Sequence, residues 1–314
     1  MNRVGAIDCG TNSIRLLIAE AVDRHLRDVH REMRIVRLGQ GTDATGRLAP
    51  EALERTRSAL ADYAALCVRH AVKRVRMVAT SAVRDAANRD AFLAMTAEVL
   101  GVVVPGAVAE VVSGAAEAEL SFRGVVGELD SAEAPFIVVD LGGGSTEIVL
   151  GDPGEVWTGV SVDIGCVRLT ERCLHTDPPT PEEVGSARRL VRRRLDAALH
   201  AVPVETARTW VGVAGTMTTL SALAQHLTTY DAAAIHLSRV RRNELLAVCG
   251  QLIGMTRNQR AALGPMHEGR ADVIGGGAII VEELARMLHN RAGVDELIVS
   301  EHDILDGIAA SMVG

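Results

Sequence analysis

Short apolar runs alternate with longer stretches of helical spacing along this chain. Residues 4–7 (VGAI) and 14–19 (IRLLIA) read as strands around a turn. Residues 51–70 carry apolar positions at helical spacing behind Pro50, which suits a first helical turn. A short buried strand is predicted at 75–80 (VRMVAT), a helix at 89–100 and helical structure over 115–122. Residues 136–140 (FIVVD) and 147–152 (EIVLGD) are strands again. The helix at 179–200 has a strong start signal: Thr180 as cap, Pro181 behind it, then Glu182 and Glu183. Residues 209–215 form a strand feeding a helix at 216–227. Helices follow at 241–254, 256–262 and 275–290, then a strand at 296–300 and a helix at 303–312. Strands alternating with helices throughout predict an α/β class with mixed sheets.

A chain of 314 residues is long for one core, so two domains are expected, with the polar segment 127–135 (GELDSAEAP) at the boundary. No run of about 18 uncharged apolar residues marks a membrane span, and the N-terminus lacks the features of a signal peptide. Five scattered cysteines, none spaced C-x-x-C, fit a reducing cytoplasm better than a disulfide framework or structural zinc. A net charge of −7 and 2% aromatic residues argue against nucleic acid as a partner. A polyanion would have to be bound by local arginines and backbone N–H groups.

The segments VGAIDCGTNSIRLLIAE and FIVVDLGGGSTEIVLGD align at one constant offset: 140 − 8 = 132 for Asp8 and Asp140, and likewise for Gly10 with Gly142 and Ser13 with Ser145. The shared pattern is strand, Asp, x, Gly, two small or turn residues, Ser, strand. It reads as one strand–turn–strand unit used twice, once per domain, the copies facing each other across a cleft. A glycine turn lets backbone N–H groups approach an anion. Neither copy is a Walker A loop or a dinucleotide fingerprint, because GK[ST] is missing and the second copy runs on as a strand. A plain hairpin turn also favours glycine; the matched pair is what points to phosphate, through Gly10, Thr11, Asn12 and Ser13 and through Gly142, Gly143, Gly144, Ser145 and Thr146. GVAGT (212–216), with Gly215 and Thr216, and GRADVIGGGA (269–278) each suggest a further helix N-terminus turned to an anion, or glycine at a helix end for ordinary reasons.

In order along the chain, DCGTNSIRLLIAE, ATSAVRDAANRD, VVSGAAEAELSFRGV, DLGGGSTE, GVAGTMTTL and GRADVI resemble the motif set of the exopolyphosphatase and guanosine pentaphosphate phosphatase family. The resemblance covers nearly the whole chain and implies the actin-like superfold, two ribonuclease-H-like domains with mixed sheets, in the short two-domain form. The expected division is 1–126 with a C-terminal helix at 301–314, against 127–300. A homodimer is a further expectation of the resemblance. The family's Ser-Gly-x-Glu-Glu-Ala motif maps its presumed water activator onto Glu117, with Ala116 standing where the first Glu usually is. Without the resemblance, Glu117 and Glu119 read as solvated helix residues.

Hydrolysis of a phosphoanhydride needs a positioned water and neutralised oxygen charge. Mg²⁺ takes oxygen ligands, and Asp8, Asp140 and Glu147 are the candidates, although each also suits a turn-capping carboxylate. No organic cofactor is expected. Arg15, Arg84 and Arg270 are candidate guanidinium forks for phosphate, with Ser81 beside Arg84. Surface ion pairs are the alternative, notably for Arg270 between Glu268 and Asp272. Arg188, Arg189, Arg192, Arg193 and Arg194 read as a solvated helix face or as a docking strip for a long polyphosphate. Cys9 sits in the first turn, matched by Leu141 in the second, and is read as a filler rather than a nucleophile; His267 and His302 receive no role.

The leading expectation is release of terminal orthophosphate from inorganic polyphosphate. The close variant is hydrolysis of the 5′ γ-phosphate of pppGpp. An ATP-dependent phosphotransferase, with ADP or ATP as ligand, and a non-catalytic alarmone sensor are the other classes. No membrane partner is expected.

Overall fold

The computed structural model describes residues 3–22 and 25–313, so Met1 and Gly314, the termini of the expected first domain, lie outside the described residues. The chain divides into two units: one runs up to Gly124 and resumes at Ile304, and the other spans Val125–Asp303.

The first unit opens with β1 (Arg3–Cys9), β2 (Ser13–Val22) and β3 (His25–Ile35), an antiparallel meander. α1 (Thr42–Thr45) and α2 (Pro50–Arg69) lead to β4 (Arg74–Ala79), parallel to β1; α3 (Ser81–Arg84), α4 (Arg89–Leu100), β5 (Glu110–Val111) and α5 (Gly114–Val126) follow. The sheet order is β3-β2-β1-β4-β5. Alternation along the strands feeds two cores. Ile7, Cys9, Ile14, Leu16 and Ile18 pack with Leu60, Tyr63 and Cys67 of α2 and Phe92 of α4. Val4, Ala6, Leu17 and Ala19 pack on the other face with Leu120 of α5.

The second unit repeats the plan. β6 (Phe136–Leu141), β7 (Thr146–Gly151) and β8 (Val156–Val162) form a meander, followed by α6 (Cys166–Cys173) and α7 (Pro181–Ala201). β9 (Thr209–Val213), parallel to β6, runs into α8 (Ala214–Ala224). Then come α9 (Ala232–Ile235), β10 (Ser238–Arg241), α10 (Arg242–Gly254), α11 (Arg257–Ala261), α12 (Ile274–Ala292) and β11 (Glu296–Val299). Read from β8, the order is β8-β7-β6-β9-β11, as in the first unit, with β10 added antiparallel at the edge. α13 (Ile304–Ala310) returns to the first unit and covers the Val4–Ala6 face of its sheet through Ile304, Leu305 and Ile308.

α7 starts where the capping signal predicts. Thr180 Oγ1 accepts from the Glu183 amide, and Glu183 accepts from the Thr180 amide. β3, β8 and β10 were not predicted. All three lie at sheet edges, and β3 carries Arg27, Asp28, Arg31, Glu32 and Arg34, charge that guards an edge and hides the strand pattern. Among the described residues, no helix is long and apolar enough to cross a membrane.

Candidate active site

The two matched hairpins have one local geometry. In the second unit the Gly142 amide donates to the Ser145 carbonyl at 3.1 Å, closing the turn between β6 and β7. In the first, the Gly10 amide donates to the Ser13 carbonyl at 3.0 Å between β1 and β2. Asp140 and Glu147 are direct cross-strand partners, as are Asp8 and Arg15. Directly paired residues point to the same face of a sheet, so the hairpin returns Glu147 beside Asp140.

The two pairs differ in charge. Arg15 Nε and Nη2 donate to Asp8 Oδ2 at 3.0 and 2.7 Å, an ion pair with Asp8 4% exposed. The pair in the second unit is two carboxylates, 7% and 1% exposed, and Ser161 Oγ donates to Glu147 Oε1 at 2.6 Å. Like charges directly opposite each other cost stability unless a cation lies between them. Hard carboxylate oxygens paired and buried in this way fit a divalent cation such as Mg²⁺. Asp8 has one oxygen bound to the Arg15 guanidinium.

Each turn lies next to the end of a parallel strand. Cys9 pairs with Ala79, which brings the first turn beside Thr80 and Ser81; Thr11 Oγ1 and Ser81 Oγ are 3.0 Å apart and buried. Asp140 pairs with Val213, which brings the second turn beside the start of α8. Ala214, the first residue of that helix, has φ 70°, a sparsely populated conformation for a residue with a side chain.

Glu117, in the first turn of α5, is 6% exposed and is therefore not a solvated helix residue. Arg84 Nη1, at the end of α3, donates to Glu117 Oε2 at 2.9 Å and to the Val112 carbonyl at 3.1 Å. Glu119 is exposed and paired with Arg123 four residues on. Arg270 reaches α8: its Nη1 donates to Thr219 Oγ1 at 2.8 Å. A Cβ on Gly215 would come within 2.1 Å of Arg270 Nη2, so the guanidinium lies across the space that the glycine leaves open. Thr216 is buried, and its side chain packs at Gly277 and bonds the Cys166 thiol.

Other residues singled out in the sequence make structural contacts. Of the glycines of GRADVIGGGA, Gly269 lies before α12 and the other three lie in its first turn, where Gly276 packs against Thr170 and the Cys166 carbonyl, and Gly277 against Thr216. They lie at the opening of the helix, as expected, and serve close packing there. Within the arginine strip, Arg188 bonds Glu282 and Arg192 bonds Glu283, both nearly buried on α12. Cys9 is fully buried in the α2-facing core, and burial, then Asp8, pushes its thiol well above the ordinary value. Among the described residues, Glu128, His236 and His302 form a cluster with metal-ligand spacing. Its nitrogens lie 3.0 and 2.8 Å from one Glu128 oxygen, and His236 Nδ1 accepts from the Glu301 amide.

The chain belongs to the Ppx/GppA phosphatase family, whose model matches residues 17–312. It is 72% identical over 318 residues to Exopolyphosphatase 2 of Mycobacterium tuberculosis, covering 100% of this chain and 99% of that one. A crystal structure of an exopolyphosphatase-like protein, 40% identical, superposes with a TM-score of 0.94 over 99% of this chain and 98% of that one. The Ppx/GppA family member of Aquifex aeolicus is 32% identical, with a TM-score of 0.81 over 99% and 97% of the two chains. The two mixed-sheet units are the actin-like α/β architecture of that family.

Proposed function

We infer that this chain is an exopolyphosphatase, which uses water to release terminal orthophosphate from inorganic polyphosphate. The observation that carries the choice of substrate is the end-to-end match to a relative named Exopolyphosphatase 2. The hairpins support the reaction class, since each sets a glycine turn and a charged pair at the end of a strand.

In the second unit, Asp140 and Glu147 would hold Mg²⁺, with Ser161 orienting Glu147. When bound, the ion neutralises charge on the phosphate oxygens. The amides of the Gly142–Ser145 turn bind phosphoryl oxygen, and Arg270, steadied by Thr219, adds a guanidinium. In the first unit, the Gly10–Ser13 turn binds phosphate, and Glu117, oriented by Arg84, accepts the proton of the attacking water. Asp8 is the third carboxylate of the expected set, with one oxygen occupied by Arg15.

A cytoplasmic location agrees with the five free cysteines, and a homodimer is the assembly we propose from the family resemblance. The anhydride of pppGpp presents the same terminal group, so it is the natural competing substrate; ADP and ATP are further ligands to test. The experiment is orthophosphate release with Mg²⁺ from polyphosphate, pppGpp and ATP in parallel. Faster release from polyphosphate than from either nucleotide is the expected result. Faster release from pppGpp would move the assignment to the alarmone, and no release from any of the three would remove it.

A further inference from the structure

Each hairpin turn is backed by a second segment that carries a glycine where it meets the turn. Behind the second turn, the amides of Cys166, Val167 and Arg168 donate to the carbonyls of Gly142 and Gly143 at 3.0, 2.9 and 3.1 Å. Thr146 Oγ1 adds a bond of 2.6 Å to the Ile164 carbonyl. A Cβ on Gly165 would lie 2.4 Å from the carbonyl carbon and oxygen of Gly143 and 2.5 Å from the Gly144 nitrogen. Those are backbone atoms, so the contact cannot be relieved by a side-chain rotation.

The first turn is backed in the same way by the chain after β3. Gly39 donates to the Thr11 carbonyl at 2.9 Å, and Val36 and Arg37 donate to the Asn12 carbonyl at 3.0 and 2.9 Å. A Cβ on Gly39 would lie 2.4 Å from Thr11 Cγ2. Thr11 and Gly143 are matched positions of the repeat, 143 − 11 = 132.

A trans peptide sets its C=O and the following N–H in opposite directions. When the carbonyls of Gly143 and Thr11 are drawn to the backing segment, the amides of Gly144 and Asn12 are turned away from it. We propose that Gly165 and Gly39 are positioning residues for phosphate: each lets a backing segment seize one turn carbonyl and so aims the next amide at a phosphate oxygen. The inference rests on the phosphate-binding reading above.

The test is an orthophosphate titration of the full chain, followed through the backbone amide resonances of Gly144 and Asn12, beside steady-state kinetics on polyphosphate. In the wild type both amides should shift on saturation. Gly165→Ala should weaken phosphate binding by about tenfold or more, the loss of a hydrogen bond to a charged group, with a matching rise in KM. Gly39→Ala should act in the same direction but less, because Thr11 is a side chain that can move. Thr146→Val removes a strut without adding bulk and covers the case in which Gly165→Ala fails to fold; Thr146→Ser should restore binding. Gly250→Ala, inside α10 with nothing within 4 Å of its Cβ, should leave all readouts unchanged. A folded Gly165→Ala that binds phosphate like the wild type overturns the inference, as does wild-type binding with no shift at Gly144. Those results would leave the enzymatic reading standing, whereas a wild type that neither binds nor releases phosphate removes both.

Discussion

Asp140 stands directly opposite Glu147 across the β6–β7 ladder, at the place where Asp8 of β1 faces Arg15 across β1–β2. One hairpin therefore carries a neutralised pair and its copy carries two acids. Glu147→Arg should rebuild the first arrangement in the second unit. The variant is expected to fold with a melting temperature at or above that of the wild type and to lose Mg²⁺-dependent phosphate release. Calorimetry and a release assay check both halves.

Ser161 touches the reaction only through Glu147, to which it donates at 2.6 Å. Ser161→Ala should raise the Mg²⁺ concentration for half-maximal activity by roughly tenfold, as loss of an outer partner of a ligand does. Saturating Mg²⁺ should restore most of kcat. A Mg²⁺ titration of activity beside the wild type decides it.

Glu117→Ala should lower kcat by about 10²-fold, the low end for loss of a general base, with little change in stability. Arg84→Ala should act differently. It strips a nearly buried carboxylate of its guanidinium and should cost on the order of 1–3 kcal/mol of stability as well as activity. Denaturant midpoints and kcat, measured on the two variants and their double, separate the effects.

Gly215→Ala puts a Cβ where the Arg270 guanidinium lies. Since the obstructed group is the far end of a long side chain, the arginine should swing out and the fold survive. Activity should then fall to the level of Arg270→Ala, and the double variant should be no worse than either single one. Additive losses would mean that Gly215 acts separately from Arg270.

Cys9 should be chemically silent despite its place beside the first turn. Burial raises the thiols of Cys9 and Cys67, the latter to about 12, so little thiolate exists at neutral pH. Cys173 is only half-buried and should be alkylated first in the native protein, as mass spectrometry can follow. Cys9→Ala should retain activity within about twofold of the wild type.

The hairpin repeat was legible because both its parts are local: apolar strands of period two, and turn residues that only a few side chains satisfy. The start of α7 was legible for the same reason, since Thr180 and Glu183 lie three residues apart. Of the edge strands, β3 and β10 were hidden because charged residues break their apolar pattern, and β8, which carries no charge, buries only Val162. Arg270 over Gly215, Gly165 behind Gly143 and Gly39 behind Thr11 were hidden for another reason. Each is a close approach between segments some 20 or more residues apart, with no local periodicity to announce it. The α12 glycines open their helix as the sequence suggests, while their packing against Thr170, Cys166 and Thr216 had no local signal.

The central claim, hydrolysis from the chain end, is tested most directly by resolving polyphosphate by length during turnover with Mg²⁺. The account predicts orthophosphate as the only small product, with chains shortened from their ends, and neither change with Glu117→Ala on the same timescale. Internal cleavage into mid-length fragments, or wild-type protein that leaves the length distribution untouched, would contradict it.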